Sequence, residues 1–520
     1  MSSACTAGVS PVREGQALPQ GTVTYRSRGV VLVIGDDPSA LDVASSLAAP
    51  LQAVVFAPGA KGEANGIPRI VGGRVTRLEG HLGAFRAHAA SASGDADIGA
   101  FSPHAEGTFD LVLDLCSNPL IARSVAPPGY HAPGADPARQ REAIDSLSRL
   151  VGLFAKPRFF IYEPDLCAHG SRGLAGCTKC LGVCGAAAIR SAGERIAVDA
   201  NLCQGCAACT LACPTGALSF ARPAREEMLV KLDAAIREAR LRCATPFALV
   251  VHAAADRDMV KAAAEGKSWA VLEAEPLLAF GEELWLASFV LGASRVALVH
   301  GDSLPPESTT LLVARIAAAN NLLGGSAVPR VIAVVPNALA AGVGEPAPAM
   351  PMGPGAIHLD PRLKRGITMD ALSYLDPGAK ALGSQAAFGT IVVDDKRCTL
   401  CSGCANVCPT GAVRFAAAPE ASLSFAEEAC IQCGLCATAC PEDAITLEPR
   451  LADAKTRGQA RVLVQDAAAK CLECGAPFMP RRLLESSLAK FGAELGLAGK
   501  DLERLRLCPG CRQTATLRED

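Results

Sequence analysis

The chain has little of what nucleic-acid-binding and membrane-spanning proteins need. Aromatic residues make up only 4% of its 520 residues, so few rings are present on which single-stranded bases could stack. Its 50 lysine and arginine residues nearly balance 52 aspartate and glutamate residues, and a net charge of −2 offers no basic surface for a phosphate backbone. No run of 18 apolar residues is present. We therefore expect neither a nucleic-acid partner nor a membrane-spanning helix.

The sequence also lacks the signatures of a substrate site. It contains no P-loop and no G-x-S-x-G motif, and its eight histidines show no HExxH spacing. The turn at Gly35–Ala40 keeps only the first glycine of a dinucleotide fingerprint, and Asp36 and Asp37 stand where a pyrophosphate would lie. His169, beside Cys167, is a candidate ligand or proton relay, but a loop histidine is the favoured interpretation. No catalytic residue is predicted.

Cysteine is abundant instead, with 23 residues. Three stretches have the spacing C-x2-C-x2-C-x3-C-P, at residues 203–214, 398–409 and 430–441. In bacterial-type ferredoxins, such a run gives three thiolates to one [4Fe–4S] cluster and its fourth cysteine to a second cluster. The proline turns the chain away because it cannot continue a helix. The repeats therefore predict clusters that carry electrons one at a time.

Because each run lends its last cysteine to another, the runs are expected in pairs. The run at 203–213 finds a partner in Cys167-x9-Cys177-x2-Cys180-x3-Cys184, where the insert AHGSRGLAG reads as a surface loop and Gly185 replaces the proline. Four cluster sites, named A to D, follow from this pairing. They comprise Cys167, Cys177, Cys180 and Cys213 (site A); Cys203, Cys206, Cys209 and Cys184 (site B); Cys398, Cys401, Cys404 and Cys440 (site C); and Cys430, Cys433, Cys436 and Cys408 (site D).

Four further cysteines form two C-x2-C pairs near the C-terminus, Cys471 with Cys474 and Cys508 with Cys511. Two such pairs are typical of a structural zinc site with four thiolate ligands. A redox-active cysteine pair or a fifth iron–sulfur centre is the alternative. Three cysteines have no spacing partner and are interpreted as buried or incidental thiols: Cys5, Cys116 and Cys243. The odd count and the metal-ligand spacing argue against disulfides and favour a reducing, cytoplasmic compartment. The N-terminal residues likewise contain no basic stretch followed by an apolar core.

The pattern of strands and helices predicts an α/β plus α+β protein in several segments. The segments are a disordered N-terminus (1–27), a Rossmann-like α/β domain without a cofactor fingerprint (28–162), a first ferredoxin-like dicluster module (163–222), a parallel three-layer α/β domain (223–340), a linker (341–390), a second dicluster module (391–449) and a zinc-ribbon-like module (455–520). This order predicts two dicluster modules held apart by an α/β domain.

Three parts of the chain resemble known families. Residues 167–213 and 398–440 resemble dicluster ferredoxins. The phrase LASFVLGASRVALVHG in 223–340 resembles the small domain of hydrogenase delta subunits and heterodisulfide-reductase-like proteins, whose [2Fe–2S] centre is not expected here because only Cys243 lies in this span. The strings CAHGSRGLAGCTKCLGVC and CLECGAPF are similar to bacterial cytoplasmic iron–sulfur proteins encoded beside molybdenum- or tungsten-dependent formate dehydrogenases.

The favoured function is that of an electron-transfer protein, a polyferredoxin with four [4Fe–4S] clusters and one structural zinc ion. Its resemblances imply a redox partner, possibly a formate dehydrogenase. An accessory or maturation factor for such an enzyme shares every motif and stays open as the alternative. An oxidoreductase with its own substrate site is the second alternative. A non-catalytic carrier or subunit is favoured over a stand-alone enzyme.

Overall fold

The structure is a computed structural model that describes residues 9–13, 16, 18–60, 69–71, 73–91, 94–242, 246–301, 304–324, 328–344, 364–383, 386–417 and 420–517. It is a mixed α/β structure that contains both parallel and antiparallel sheets. Within these ranges, no helix is long and apolar enough to cross a lipid bilayer.

Five parallel strands form the central sheet of the N-terminal domain. Their spatial order is Tyr130–His131, Leu111–Asp114, Val30–Ile34, Gln52–Phe56 and Arg69–Val71. Apart from Gln52 and Asp114 at strand ends, the inner strands are apolar because both faces of the sheet are covered. One face packs against the helices Ala40–Ser45 and Pro137–Ser148.

The other face of this sheet packs against an antiparallel sheet. Its strands are Val75–Glu79, Arg86–Ser91 and Gly94–Asp97. The sequence pattern did not predict this antiparallel layer. A dinucleotide-binding domain carries helices on both faces of its parallel sheet. This domain therefore differs from that architecture on one face, and its Rossmann-like assignment stays a prediction.

Part of the predicted disordered N-terminus is a strand, which corrects the prediction for that part. Thr22–Ser27 pairs with Gly152–Pro157, which also pairs with Ser10–Pro11. Tyr25, in the strand Thr22–Ser27, is buried in the hydrophobic core of the N-terminal domain and so orders the segment. Residues 1–8 lie outside the described part of the chain.

The predicted α/β domain has four parallel strands with helices on both faces, as expected. The strand order is Trp269–Glu273, Ala248–His252, Arg295–Val299 and Val331–Val334. Leu249 and Val251 face one hydrophobic cluster, whereas Ala248 and Val250 face another, as the two-residue period of a strand requires. The helices of this domain are Arg225–Arg242, Arg257–Ala264, Glu282–Val290 and Pro306–Leu322.

The predicted linker contains a helix, Lys364–Leu375, which corrects the prediction for that part of 341–390. Its buried residues Ile367, Ala371, Leu372 and Leu375 recur at helical spacing and pack into the core of the α/β domain. The composition signal that predicted a linker comes from the proline- and glycine-rich stretch before this helix. Residues 345–363 of that stretch lie outside the described residues.

The two predicted dicluster modules consist of short strands and very short helices. In the first, Phe160–Tyr162 pairs with Leu218–Phe220, and Ile189–Ala192 pairs with Arg195–Val198, beside the helix Ala208–Ala212. The second contains the strands Gly389–Val393, Val413–Ala416, Ala421–Phe425 and Ile445–Leu451, and the helices Gly403–Val407 and Leu435–Thr438. Its sheet is extended by Arg461–Asp466, a strand from the segment predicted as the zinc-ribbon-like module, which pairs with Ala421–Phe425.

The C-terminal segment has one two-stranded hairpin and three helices. The strands are Ala468–Lys470 and Pro477–Pro480, and the helices are Arg481–Glu494, Lys500–Leu505 and Pro509–Leu517. The long helix Arg481–Glu494 lies between the two cysteine pairs. A zinc-ribbon-like fold for this segment stays a prediction.

Candidate iron–sulfur sites and a four-cysteine group

The four cysteines predicted for site A line one small enclosed cavity. Burial, together with the charges of the other three thiols, raises the pKa of Cys180 to about 12. Cys213 reaches this cavity from the end of the helix Ala208–Ala212, whereas the other three belong to the stretched run. The structure thus brings together thiols from two different runs. Their role as cluster ligands stays a prediction.

The cysteines predicted for the other sites also lie within electrostatic range of one another. Burial raises the pKa of Cys209 well above its usual value in site B, of Cys404 to about 12 in site C and of Cys436 to about 12 in site D. In each case the charges of the other three thiols of that site contribute to this increase in pKa. Each set offers four soft thiolate donors, which suit an iron–sulfur cluster.

Three interactions connect one site to the next. After burial and nearer charges, the charge of Cys180 in site A raises the pKa of Cys209 in site B. The charge of Cys177 in site A likewise raises the pKa of Cys433 in site D. Within the second module, the charge of Cys404 in site C acts on Cys436 in site D. Site B therefore neighbours site A, site A neighbours site D, and site D neighbours site C, an order of neighbours that we call the row B, A, D, C.

The two modules contact each other directly, so the predicted separation by the α/β domain is wrong. A Cβ atom on Gly176 would lie 2.7 Å from the Cγ atom of Leu435 and 2.7 Å from the carbonyl oxygen of Ala168. Gly176 precedes Cys177 in site A, and Leu435 lies between two cysteines of site D. Only glycine permits this approach, because any side chain would push the modules apart.

The insert in the stretched run forms a hairpin at this contact. Gly170–Ser171 pairs with Leu174–Ala175, and Arg172 and Gly173 both have positive φ, as a two-residue turn requires. His169 is buried, with Nδ1 hydrogen-bonded to the carbonyl of Cys177 and Nε2 to the hydroxyl of Ser191. Both ring nitrogens are used within the protein. His169 is thus placed to hold the hairpin against the cysteine run and not to bind a metal.

Strained backbone is concentrated next to the cysteines. Eight described residues other than glycine have positive φ, and six of them follow a predicted ligand by one to three positions: Ala187, Ala207, Leu400, Ser402, Gln432 and Asp443. Such conformations cost energy and persist where function requires them. They let backbone N–H groups turn towards sulfur, as with Ala188 N on Cys184 Sγ and Ala444 N on Cys440 Sγ, both at 3.3 Å. Cysteine spacing alone does not reveal these turns.

Gly185 occupies the position where proline is expected, and the structure gives a reason. A Cβ atom there would lie 2.4 Å from the Ser124 hydroxyl of the N-terminal domain. The N-terminal domain also contacts the first module through Arg123, whose guanidinium donates to the carbonyl of Ala186 at 3.2 Å. Glycine is therefore needed for this domain to pack closely beside site B.

Three cations from outside the cysteine runs bind to their backbone, and two of them, Lys156 and Lys364, are buried. Lys156 of the N-terminal domain donates to the carbonyls of Asn201 at 2.8 Å and Cys203 at 2.7 Å, and it is only 2% exposed. Burial lowers the pKa of Lys156 to about 8, while the charges of Cys203 and Asp199 act in the opposite direction. Lys156 therefore carries a positive charge beside site B at neutral pH.

The other two cations begin the helix Lys364–Leu375 and bind one module each. Lys364 Nζ donates to the carbonyls of Thr210 at 2.7 Å and Leu211 at 2.9 Å in the first module. Arg365 donates to the carbonyl of Cys430 at 2.6 Å in the second. Adjacent residues of the predicted linker thus hold sites A and D in place. The sequence feature that could have indicated Lys364 and Arg365 is a Lys-Arg dipeptide at the start of an amphipathic helix.

The C-terminal cysteines form the tightest group in the described part of the chain. The sulfur atoms of Cys471, Cys474, Cys508 and Cys511 all lie within 4.8 Å of one another, an arrangement that could hold a metal ion. Two of them, Cys474 and Cys508, are 3.8 Å apart. Four sulfurs around one ion at about 2.3 Å would be separated by about 3.8 Å in a tetrahedron. This spacing fits one mononuclear metal ion.

Backbone N–H groups stabilise a thiolate in this group. Hydrogen bonds from Cys474 and Cys508 lower the pKa of Cys471 to about 6. Of the three unassigned cysteines, Cys116 is buried, and burial raises its pKa to about 12. It is therefore an unreactive thiol, as predicted. Cys5 and Cys243 lie outside the described residues.

Models of known families match three segments of the chain. A 4Fe-4S dicluster domain matches residues 390–441, another 4Fe-4S dicluster domain matches residues 429–477, and a 4Fe-4S binding domain matches residues 195–218. No curated protein matches the chain. The matches cover less than half of its length. They identify ferredoxin-type iron–sulfur domains in both modules and support a role in electron transfer.

Proposed function

We propose that the chain is a polyferredoxin whose sites A to D each hold one [4Fe–4S] cluster. Bound clusters would supply one-electron redox chemistry. The observation that carries the proposal is the row B, A, D, C, in which thiols of each site act electrostatically on the next. Such a row has two ends, and electrons could enter at one and leave at the other.

The protein's own residues would position the clusters and set their properties. Positive-φ turns direct N–H groups at the sulfurs, and Thr215 Oγ1 and Thr410 Oγ1 lie 3.5 and 3.7 Å from Cys213 Sγ and Cys408 Sγ. Hydrogen bonds to sulfur, burial and nearby charge are the factors that tune cluster potentials. These factors differ from site to site, so we infer unequal potentials along the row.

Site C is the end at which we place a protein partner. Cys398 lies on the wall of an open cleft of about 760 Å³ lined largely by charged side chains, among them Lys396, Arg397, Glu442 and Arg482. Mixed charge around a small contact suits a transient redox encounter, which needs orientation more than affinity. From the resemblance of the cysteine strings, we propose a formate dehydrogenase as this partner, with the protein located in the cytoplasm.

Metal content tests the number of sites. Anaerobically purified protein should contain about sixteen iron atoms per chain, four for each cluster. Iron and acid-labile sulfide analysis measures this directly. A value near twelve would remove the stretched run at 167–184 from the proposal. The cavity lined by all four site A cysteines supports the higher number.

The four-cysteine group should hold one zinc ion per chain, with thiolate in all four positions and therefore a structural role. The double variant Cys508→Ser and Cys511→Ser should lose this ion and keep its iron. Elemental analysis of both proteins measures zinc and iron together. Iron at this position in wild-type protein, lost in the variant, would instead support a fifth iron centre. The match of a dicluster domain as far as residue 477 makes that comparison necessary.

Kinetic measurements distinguish an electron carrier from the alternative, an accessory or maturation factor. A carrier should be reduced and reoxidised reversibly, and it should deliver electrons to formate dehydrogenase at the rate of turnover. A maturation factor would leave the mature enzyme's rate unchanged when omitted from the assay, while enzyme produced in its absence would be inactive. Stopped-flow measurements and the activity of enzyme from a deletion strain distinguish the two.

A further inference from the structure

A cavity of about 780 Å³ lies against the first dicluster module, between it and the α/β domain. Lys179, Gly182 and Val183 form part of its wall, and these residues stand between the cysteines of the stretched run. Its volume falls within the range of about 300–1,000 Å³ found for small-molecule sites. The cavity therefore reaches from the protein surface to the chain segment that joins sites A and B.

The opposite wall includes an apolar strip beside polar and charged side chains. It is formed by one face of the helix Pro306–Leu322, where Leu311, Ala314 and Ala318 follow one another at helical spacing. Small side chains on a helix leave room for a ring to lie flat against it. Phe388 adds an aromatic side chain to the same cavity. A planar aromatic ring matches these surfaces better than a flexible or fully polar ligand does.

The cavity also contains charge in its buried wall. Arg315 Nη2 donates to Glu282 Oε2 at 2.6 Å, and the two side chains are only 11% and 7% exposed. Glu282 Oε1 and Arg315 Nε have no hydrogen-bond partner among the described residues. Buried polar groups are costly when their hydrogen-bonding capacity is unused. These two atoms are themselves buried, so a ligand in the cavity would meet the remaining atoms of the pair.

Polar side chains at the opening contrast with this interior. Thr310 and Asn321 are exposed and line the same cavity. A ligand that fits both regions has a planar ring with a polar edge and a hydroxylated chain that extends to solvent. The isoalloxazine ring of a flavin, with its apolar benzenoid end, polar pyrimidine end and ribityl chain, has this form.

We propose that this cavity binds a flavin, with the ring against Ala314 and Ala318 and the polar edge towards Lys179, Arg315 and Glu282. The choice of a redox-active ligand rests on the proposed function, because the cavity adjoins the segment that joins sites A and B. The shape and polarity of the cavity do not depend on that function. The cysteine pattern gives no indication of a flavin site.

Equilibrium dialysis of the full-length, anaerobically purified protein against riboflavin tests the proposal. Binding should saturate at one flavin per chain. Ala318→Trp fills the cavity and should weaken binding at least ~tenfold, which is about 1.4 kcal/mol. Val313→Trp is the matched control, because Val313 belongs to the same helix but is 55% exposed and does not line the cavity. It should bind like wild type.

Unsaturable uptake by wild-type protein, or equal binding by Ala318→Trp and wild type, would overturn the flavin site. Ala314→Trp, at a more open position of the same wall, provides a second variant if Ala318→Trp loses iron. Iron content measured on every sample separates this result from the proposed function. A protein with about sixteen iron atoms and no flavin binding keeps the polyferredoxin and loses only the cavity proposal.

Discussion

Replacing Cys184 by serine is expected to remove the cluster of site B and leave that of site A in place. Cys184 is only four residues from Cys180 of site A, so proximity in sequence predicts the opposite result. The structure places its charge among those acting on Cys203, Cys206 and Cys209 instead. Loss of one thiolate should cost about four of sixteen iron atoms.

Alkylation identifies which thiols are freed. Anaerobic treatment of the folded Cys184→Ser variant with iodoacetamide, followed by peptide mass spectrometry, should label the three remaining site B cysteines. Those of site A should stay protected. Cys180→Ser is the reciprocal variant and should expose Cys167, Cys177 and Cys213. Cys116→Ser, at a buried thiol outside all four sites, controls for general loosening and should retain full iron content.

Labelling of the site A cysteines in Cys184→Ser would contradict the cross-pairing of the runs. It would place Cys184 with its neighbours in sequence and break the row between sites B and A. Labelling of both sets would show that the first module unfolds as a unit when one cluster is lost. A circular dichroism spectrum of the variant distinguishes that outcome, because small metal-dependent modules lose structure with their metal.

Local patterns in the sequence were sufficient to place the strands and helices of the α/β domain and to group cysteines that the structure brings together. Strands such as Ala248–His252 and helices such as Arg225–Arg242 lie where apolar runs and amphipathic spacing predict them. The grouping of Cys213 with Cys177 and Cys180 follows from a spacing rule that reflects cluster chemistry. These features depend on a few neighbouring residues or on a known ligand pattern.

Contacts between distant segments could not be predicted in this way. Gly176 gives no indication of its contact with Leu435, because the requirement for glycine comes from another module. The proline- and glycine-rich stretch before the helix Lys364–Leu375 led to the prediction of a linker there. The apolar residues of this helix nevertheless have helical spacing. The antiparallel sheet over the N-terminal domain likewise depends on which face of the parallel sheet is left uncovered.

Lys156 is a further residue that cysteine spacing cannot identify, and its removal should have the largest electrostatic effect. Lys156→Met keeps the length of the side chain but removes a buried charge beside Cys203. A positive charge favours the reduced, more negative cluster, so the potential of site B should fall. With an effective dielectric constant of about 20 and a separation of about 10 Å, the change is roughly 1.7 kcal/mol, or ~70 mV for one electron.

Potentiometric titration with spectroscopic detection measures this shift, and two variants establish its cause. Arg158→Met removes a nearby exposed cation and should leave the potential almost unchanged, because solvent screens its charge. Lys156→Arg keeps the charge and should restore most of the potential. Equal shifts in Lys156→Met and Lys156→Arg would instead assign the effect to packing between the N-terminal domain and the cluster loop. A shift confined to Lys156→Met would give the N-terminal domain a role in setting the potential at that end of the row.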